Sequence, residues 1–107
     1  MLTLPRALPL LAVLIGAAGA SAQEGRPQAG RTFAEANCAR CHAIGATGTS
    51  ALPAAPAFRD LHRRYPVDQL AEALAEGIGT GHAAMPEFQL EPAQIADLLA
   101  YLRTLRR

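Results

Sequence analysis

The sequence predicts an all-α fold, and two observations support this class. A long apolar stripe at helical spacing lies near the C-terminus and comprises Ile95, Leu98, Leu99, Leu102 and Leu105. A shorter stripe of the same periodicity comprises Val67, Leu70, Ala71, Leu74 and Ile78. No segment shows the strict apolar–polar alternation that is typical of a half-buried strand, and no internal repeat is visible.

The first predicted element is a signal peptide over residues 1–22. Arg6 supplies a positive charge, residues 8–20 are mostly apolar, and Ala20-Ser21-Ala22 matches the small-residue cleavage pattern. Gln23 would then be the first mature residue, and the product would be periplasmic. The alternative is an uncleaved anchor, for which the apolar run is short because a spanning helix needs about 20 apolar residues.

The mature chain is expected to form one domain over residues 30–107, preceded by a flexible lead-in at residues 23–29. A first helix is predicted from about Gly30 into the segment 38–42, and residues 43–57, with their glycines and prolines, predict a loop. Further helices are predicted from Phe58 to Tyr65, from Asp68 to Glu76, and from Pro92 to the C-terminus. A glycine-rich loop is expected between the last two of these helices, from Gly77 to Leu90.

The segment Cys38-Ala39-Arg40-Cys41-His42 has the C-x-x-C-H spacing of a c-type haem attachment site. If the segment is helical, residues three and four positions apart lie on one face, so both sulfurs and the imidazole can meet one flat ligand. Each thiol can add to a haem vinyl group, and a ring nitrogen of His42 can bind the iron. The motif also contains both cysteines of the chain.

Other uses of the two cysteines are less consistent with the sequence. A dithiol redox pair is typically found near a βαβ pattern, which is not visible here. A structural zinc site needs four ligands, whereas the motif offers three. A disulfide across two intervening residues would contribute little, because the closed loop is very short.

A haem iron bound by His42 has a sixth position, for which Met85 is the predicted ligand. Met85 lies in the predicted loop before Pro86, and His/Met ligation is the cytochrome c pattern that raises the reduction potential. Methionine also commonly fills gaps in a core, which is the structural alternative. His82, in the same loop, is the competing ligand, and His62 is expected to be a surface histidine.

The charge composition argues against several classes of partner. The formal net charge is +1, and all ten basic residues are arginines. Loss of Arg6 with the signal peptide would balance the acids and bases. No basic tract indicates binding to nucleic acid or to an anionic membrane.

The chain resembles the small class I cytochromes c of the bacterial periplasm over residues 30–105. The residues that carry the resemblance are Gly30 and Phe33, the motif 38–42, Ala55 to Phe58, Gly81 to Phe88, and Ile95 to Leu102. The resemblance implies about four to five helices wrapped round one covalently bound haem c. It also implies that the first and last helices cross, near Gly30 to Phe33 and Leu98 to Tyr101.

The resemblance further implies the roles of four side chains. Cys38 and Cys41 would attach the haem, His42 would be the proximal iron ligand, and Met85 the distal one. A proline carbonyl would fix the His42 ring, and both Pro53 and Pro56 are candidates. The absence of lysine departs from the many relatives that dock through a lysine ring around the haem edge.

The function that follows is a one-electron carrier and not an enzyme, because two axial ligands leave the iron no open position. Its partners would be redox proteins such as a dehydrogenase, an oxidase or another cytochrome. The mature chain would be a monomer or a subunit of a redox complex without a stable membrane span. The alternative is a ligand-binding or peroxidatic haem protein with a labile or open distal site.

Overall fold

The computed structural model of the chain describes residues 1–14, 16, 24–77 and 84–106. Four α-helices lie in these residues: α1 (Pro27–Asn37), α2 (Leu61–Arg64), α3 (Leu70–Glu76) and α4 (Pro92–Thr104). Single 3₁₀ turns lead into α2 and α3, at Phe58–Asp60 and Val67–Gln69. The described part of the chain contains no strand, so the predicted all-α class is confirmed.

The bounds of α1 differ from the prediction at both ends. The helix begins at Pro27, inside the expected lead-in, because proline at a first helical position needs no hydrogen-bond acceptor for its nitrogen. It ends at Asn37 instead of continuing into the motif, and the Asn37 side chain donates to the Phe33 carbonyl at 3.0 Å. The motif therefore follows α1 as a series of turns.

The two ends of the predicted glycine-rich loop are anchored on α3. Gly77 ends α3 with φ = 71°, a left-handed conformation that glycine adopts without steric cost. Beyond the loop, the Leu90 N–H donates to the Leu74 carbonyl at 2.9 Å. The entry to α4 follows at once, with Pro92 at its start as predicted and the Glu91 N–H donating to Gln94 Oε1 at 3.0 Å.

α1 and α4 cross where the resemblance implied, and Gly30 makes the close approach possible. A Cβ atom on Gly30 would lie 2.0 Å from the Asp97 carbonyl oxygen and 2.8 Å from Tyr101 Cβ. At the same crossing the Arg26 N–H donates to Asp97 Oδ1 at 2.7 Å. This carboxylate satisfies an amide at the N-terminus of α1, where a negative charge is also favoured by the helix dipole.

The hydrophobic core lies between α1 and α4 and extends to the turn before α3. All five residues of the predicted C-terminal stripe are buried, so that stripe is confirmed. In the second stripe Val67 is buried, Leu70, Ala71 and Leu74 are half-buried against the core, and Ile78 lies outside the described residues. Among the described residues, the other buried members of this core cluster are Ala34, Phe58 and Tyr101.

An ion pair ties the turn at residues 67–69 to α4. The Arg103 guanidinium donates to the Asp68 carboxylate, and this hydrogen bond holds the pKa of that carboxyl below its usual value. A lowered pKa favours the folded state above the ordinary carboxyl pKa, and the contribution disappears as the pH falls through the lowered value. Its size is small because both side chains are exposed to solvent.

None of the helices described combines the length and apolarity needed to cross a membrane. Residues 1–14, in the predicted signal peptide, form no regular element, and their large apolar side chains are exposed.

Candidate functional site

The C-x-x-C-H segment forms consecutive hydrogen-bonded turns directly after α1. The N–H groups of Cys38 and Ala39 both donate to the Ala34 carbonyl, at 2.8 and 3.0 Å. The N–H groups of Cys41 and His42 in turn donate to the Cys38 carbonyl, at 3.2 and 3.0 Å. The bond from His42 back to Cys38 has the spacing of a single α-helical turn, so the backbone of the motif is coiled although it lies outside α1.

The two cysteines are free thiols, and both are half-buried. Burial raises the pKa of the Cys38 thiol to about 11. The thiol is therefore neutral at physiological pH, whereas a redox-active cysteine typically has a lowered pKa. This apolar setting is compatible with a neutral thioether and does not favour the dithiol redox alternative.

The His42 ring is held by the carbonyl group of Pro56. His42 Nδ1 lies 2.7 Å from the Pro56 oxygen, and because a carbonyl only accepts, Nδ1 carries the proton. The lone pair of the neutral ring is therefore on Nε2, which is the atom left to bind a metal. Pro56, not Pro53, is thus the proline that orients the ring.

Phe58 also lies against the His42 ring. Its ring centroid lies 5.1 Å from that of His42, with the two planes inclined at 49°. The Phe58 side chain is buried, so it forms a fixed wall on one side of the imidazole. The sequence indicated Phe58 as the start of a helix and as one of the residues that carry the resemblance, and it did not indicate this contact with His42.

The irregular loop 43–57 is tied back to the motif by backbone hydrogen bonds. The Leu52 N–H donates to the Cys41 carbonyl at 3.1 Å, and the Phe58 N–H donates to the Ala43 carbonyl at 2.9 Å. These bonds set the path of the chain around Pro56. The loop has no periodic pattern, so nothing in the sequence indicated them.

Two side-chain hydroxyl groups bind the backbone immediately after His42. Ser50 Oγ accepts from the Ala43 N–H at 3.0 Å, and the Tyr101 hydroxyl donates to the Ile44 carbonyl at 2.7 Å. Tyr101 is a buried residue of α4 and also faces Gly30 at the helix crossing. Sequence reasoning included Tyr101 only among the residues that carry the resemblance and those of the crossing, and it missed Ser50.

Met85, the predicted sixth ligand, is among the residues that the structure describes. Met85 is half-buried in the irregular segment 84–91, whose end is anchored by the Leu90–Leu74 hydrogen bond. His82, the competing ligand, lies outside the described residues. His62, expected at the surface, is half-buried on α2. Within the described residues no group of three or more His, Cys, Asp or Glu side chains is arranged to hold a metal ion.

A helical domain that places a C-x-x-C-H turn after its first helix, with the histidine ring fixed on a proline carbonyl, has the features of a small class I c-type cytochrome. Comparison with known proteins agrees, because the family model for cytochrome c matches residues 27–106. The chain belongs to the cytochrome c family. It is also similar to a cytochrome c-553-like protein of Synechocystis sp. (strain ATCC 27184 / PCC 6803 / Kazusa).

That relative is 33% identical over 84 residues, which cover 78% of this chain and 73% of the relative. No solved structure matches the chain significantly. As a member of the family, the chain is an electron carrier with covalently bound haem c. The side chains of the C-x-x-C-H segment fit haem c, because two free thiols and an imidazole with an available Nε2 lie within one coiled segment.

Proposed function

We propose that the chain is a periplasmic one-electron carrier whose haem is attached through Cys38 and Cys41 and ligated by His42 and Met85. The observation that carries the proposal is the hydrogen bond from His42 Nδ1 to the Pro56 carbonyl. It selects the tautomer with a free Nε2 lone pair and restrains the ring, as is usual for a metal-ligating histidine. The bound haem supplies an iron that changes oxidation state by one electron.

Met85 is the proposed distal ligand because its position and chemistry both suit the role. Its side chain is half-buried in an irregular segment, and Pro86 restricts the backbone that follows it. A thioether is a neutral, soft ligand that favours the reduced iron and gives a higher potential than a second imidazole. Two protein ligands would leave no open position for a substrate, which is why we propose a carrier and not an enzyme.

We expect Met85→Ala to lower the reduction potential, to open the iron to cyanide or carbon monoxide, and to raise peroxidase activity. The physical reason is the loss of the thioether from the sixth position. His82→Ala is the matched control and should leave the spectrum nearly unchanged. The oxidised wild-type protein should also show the weak far-red absorption band of sulfur-to-iron charge transfer.

Two results would contradict this ligand set. If the far-red band is missing and His82→Ala is the substitution that opens the iron, His82 is the ligand. If the wild-type protein binds carbon monoxide readily, a ligand-binding or peroxidatic haem protein with an open distal site replaces the carrier. Optical spectra and a redox titration distinguish these cases.

The partners proposed for this carrier are other redox proteins, such as a dehydrogenase, an oxidase or a second cytochrome. The mature chain would work with them as a monomer or as a subunit of a redox complex. The balance of arginine and acidic residues gives it no net charge that would recruit nucleic acid.

We expect the signal peptide to be cleaved between Ala22 and Gln23 when the gene is expressed in a bacterial host. The cleavage enzyme requires small residues at the site, so Ala22→Phe should block processing. Ala17→Leu, which keeps the apolar character of the preceding run, should be processed normally. N-terminal sequencing of the periplasmic fraction tests this, and wild-type protein that keeps residues 1–22 in the membrane fraction would contradict it.

A further inference from the structure

The Pro56 carbonyl belongs to a loop without regular structure, so its position on the His42 ring must be maintained by specific bonds. Two backbone hydrogen bonds, Leu52 to Cys41 and Phe58 to Ala43, close the loop against the motif. The residues directly after the ligand, Ala43 and Ile44, are in addition each bound by a side-chain hydroxyl group. These two groups approach the backbone from different parts of the fold.

Tyr101 reaches the segment from α4. Its hydroxyl donates to the Ile44 carbonyl at 2.7 Å over a separation of 57 residues, and its side chain is only 6% exposed. Its Cβ lies against Gly30, so its position is set by the crossing of α1 and α4. A buried ring with its hydroxyl bonded to a backbone carbonyl holds that carbonyl in one place.

Ser50 reaches the same segment from within the loop. Its Oγ accepts from the Ala43 N–H at 3.0 Å, and the Ala43 carbonyl accepts from Phe58. Both backbone polar groups of Ala43 are thereby hydrogen-bonded, the N–H to Ser50 and the carbonyl to Phe58. The Phe58 ring in turn contacts His42. Displacement of this segment would move the imidazole relative to the Pro56 oxygen.

We propose that the hydroxyl groups of Tyr101 and Ser50 are positioning groups that hold residues 43–44 and so keep the His42 ring hydrogen-bonded to Pro56. This inference rests on the proposed role of His42 as an iron ligand. A hydrogen bond from Nδ1 makes the imidazole a more basic ligand, which stabilises oxidised iron. Weakening that bond therefore raises the reduction potential.

The test compares Tyr101→Phe with Tyr65→Phe in the haem-loaded protein. Tyr101→Phe removes only the hydroxyl and keeps the buried ring, whereas Tyr65, the other tyrosine, is largely exposed and serves as the control. We expect Tyr101→Phe to raise the reduction potential and to speed exchange of the His42 Nδ1 proton, measured by NMR in the reduced protein, by roughly fivefold. Tyr65→Phe should change neither quantity.

A second pair of variants tests the positioning role if Tyr101→Phe does not fold. Ser50→Ala removes the acceptor for Ala43, and Thr49→Val removes an exposed hydroxyl from the same loop as its control. Ser50→Ala should raise the potential and Nδ1 exchange in the same direction, and Thr49→Val should not. An unchanged or lowered potential with unchanged Nδ1 exchange, in the folded variants, would overturn the positioning role.

Failure of the positioning role can be distinguished from failure of the proposed function. Wild-type protein without covalent haem, or with an iron ligand other than His42, would refute the proposed function. Wild-type protein with normal haem ligation, in which both hydroxyl deletions leave the potential and Nδ1 exchange unaltered, would refute only the positioning role. A loss of stability alone, without these two changes, counts against the inference because a merely structural role predicts it.

Discussion

The double substitution Cys38→Ser/Cys41→Ser is expected to abolish covalent haem completely. Each thioether bond requires a cysteine sulfur, and the chain has no further cysteine to replace either one. The wild-type mature protein should exceed its polypeptide mass by one haem and keep that haem after extraction with acidified acetone. The double variant should show the polypeptide mass alone.

The same variant should also fail to accumulate as a folded protein. The described core has only nine buried residues in its cluster, and a small domain buries too little surface to be strongly stable without help.

The single variant Cys41→Ser should keep at most one thioether bond to the haem. Ala39→Ser places a hydroxyl between the two cysteines without removing a sulfur, so it should mature normally. Haem that is lost from the wild-type protein on extraction would refute thioether attachment.

Gly30→Ala is expected to destabilise the protein by roughly 3 kcal/mol, at the upper end of what overpacking costs. The new methyl group would lie 2.0 Å from the Asp97 carbonyl oxygen, and a backbone atom cannot move aside as a flexible side chain can. α1 and α4 must then separate, which also weakens the contact of Arg26 with Asp97. Thermal unfolding of the haem-loaded protein measures the effect, because the melting temperature should fall by about 4–8 °C for each kcal/mol of stability lost.

Gly45→Ala is the matched control for this prediction. A Cβ atom at Gly45 has only the Thr47 carbonyl oxygen within reach, at 4.0 Å, and the backbone there is not left-handed. The free energy of unfolding of this variant should lie within about 0.5 kcal/mol of the wild-type value. Equal stability of the two variants would mean that the helices do not cross at Gly30.

The features that could be predicted from the sequence are those that depend on neighbours along the chain. The C-x-x-C-H spacing indicated haem attachment because five consecutive residues contain the whole attachment set. The stripe from Ile95 to Leu105 predicted α4 and its buried face because a helix brings every third or fourth residue to one side. Pro92 predicted where that helix begins. The predicted bounds of the shorter helices agree with the observed bounds within a few residues.

The early start of α1 was missed for a physical reason. Residues 23–29 have a polar, glycine- and proline-rich composition that by itself favours an irregular lead-in. In the folded protein, the Asp97 carboxylate accepts from the Arg26 N–H and thereby stabilises a helix start that the local sequence does not favour. Asp97 is distant in sequence, so no local pattern could reveal this bond.

By itself, the sequence determined the class of cofactor and the helical architecture, and it predicted the residues that would attach the haem, all through short-range spacing. Only the tertiary structure decided that Pro56 and not Pro53 holds the His42 ring, and that Tyr101 and Ser50 bind the segment beside it. The reason is that the loop 43–57 has no periodicity to constrain it. Its path follows from individual hydrogen bonds between residues that meet only when α1 and α4 have packed.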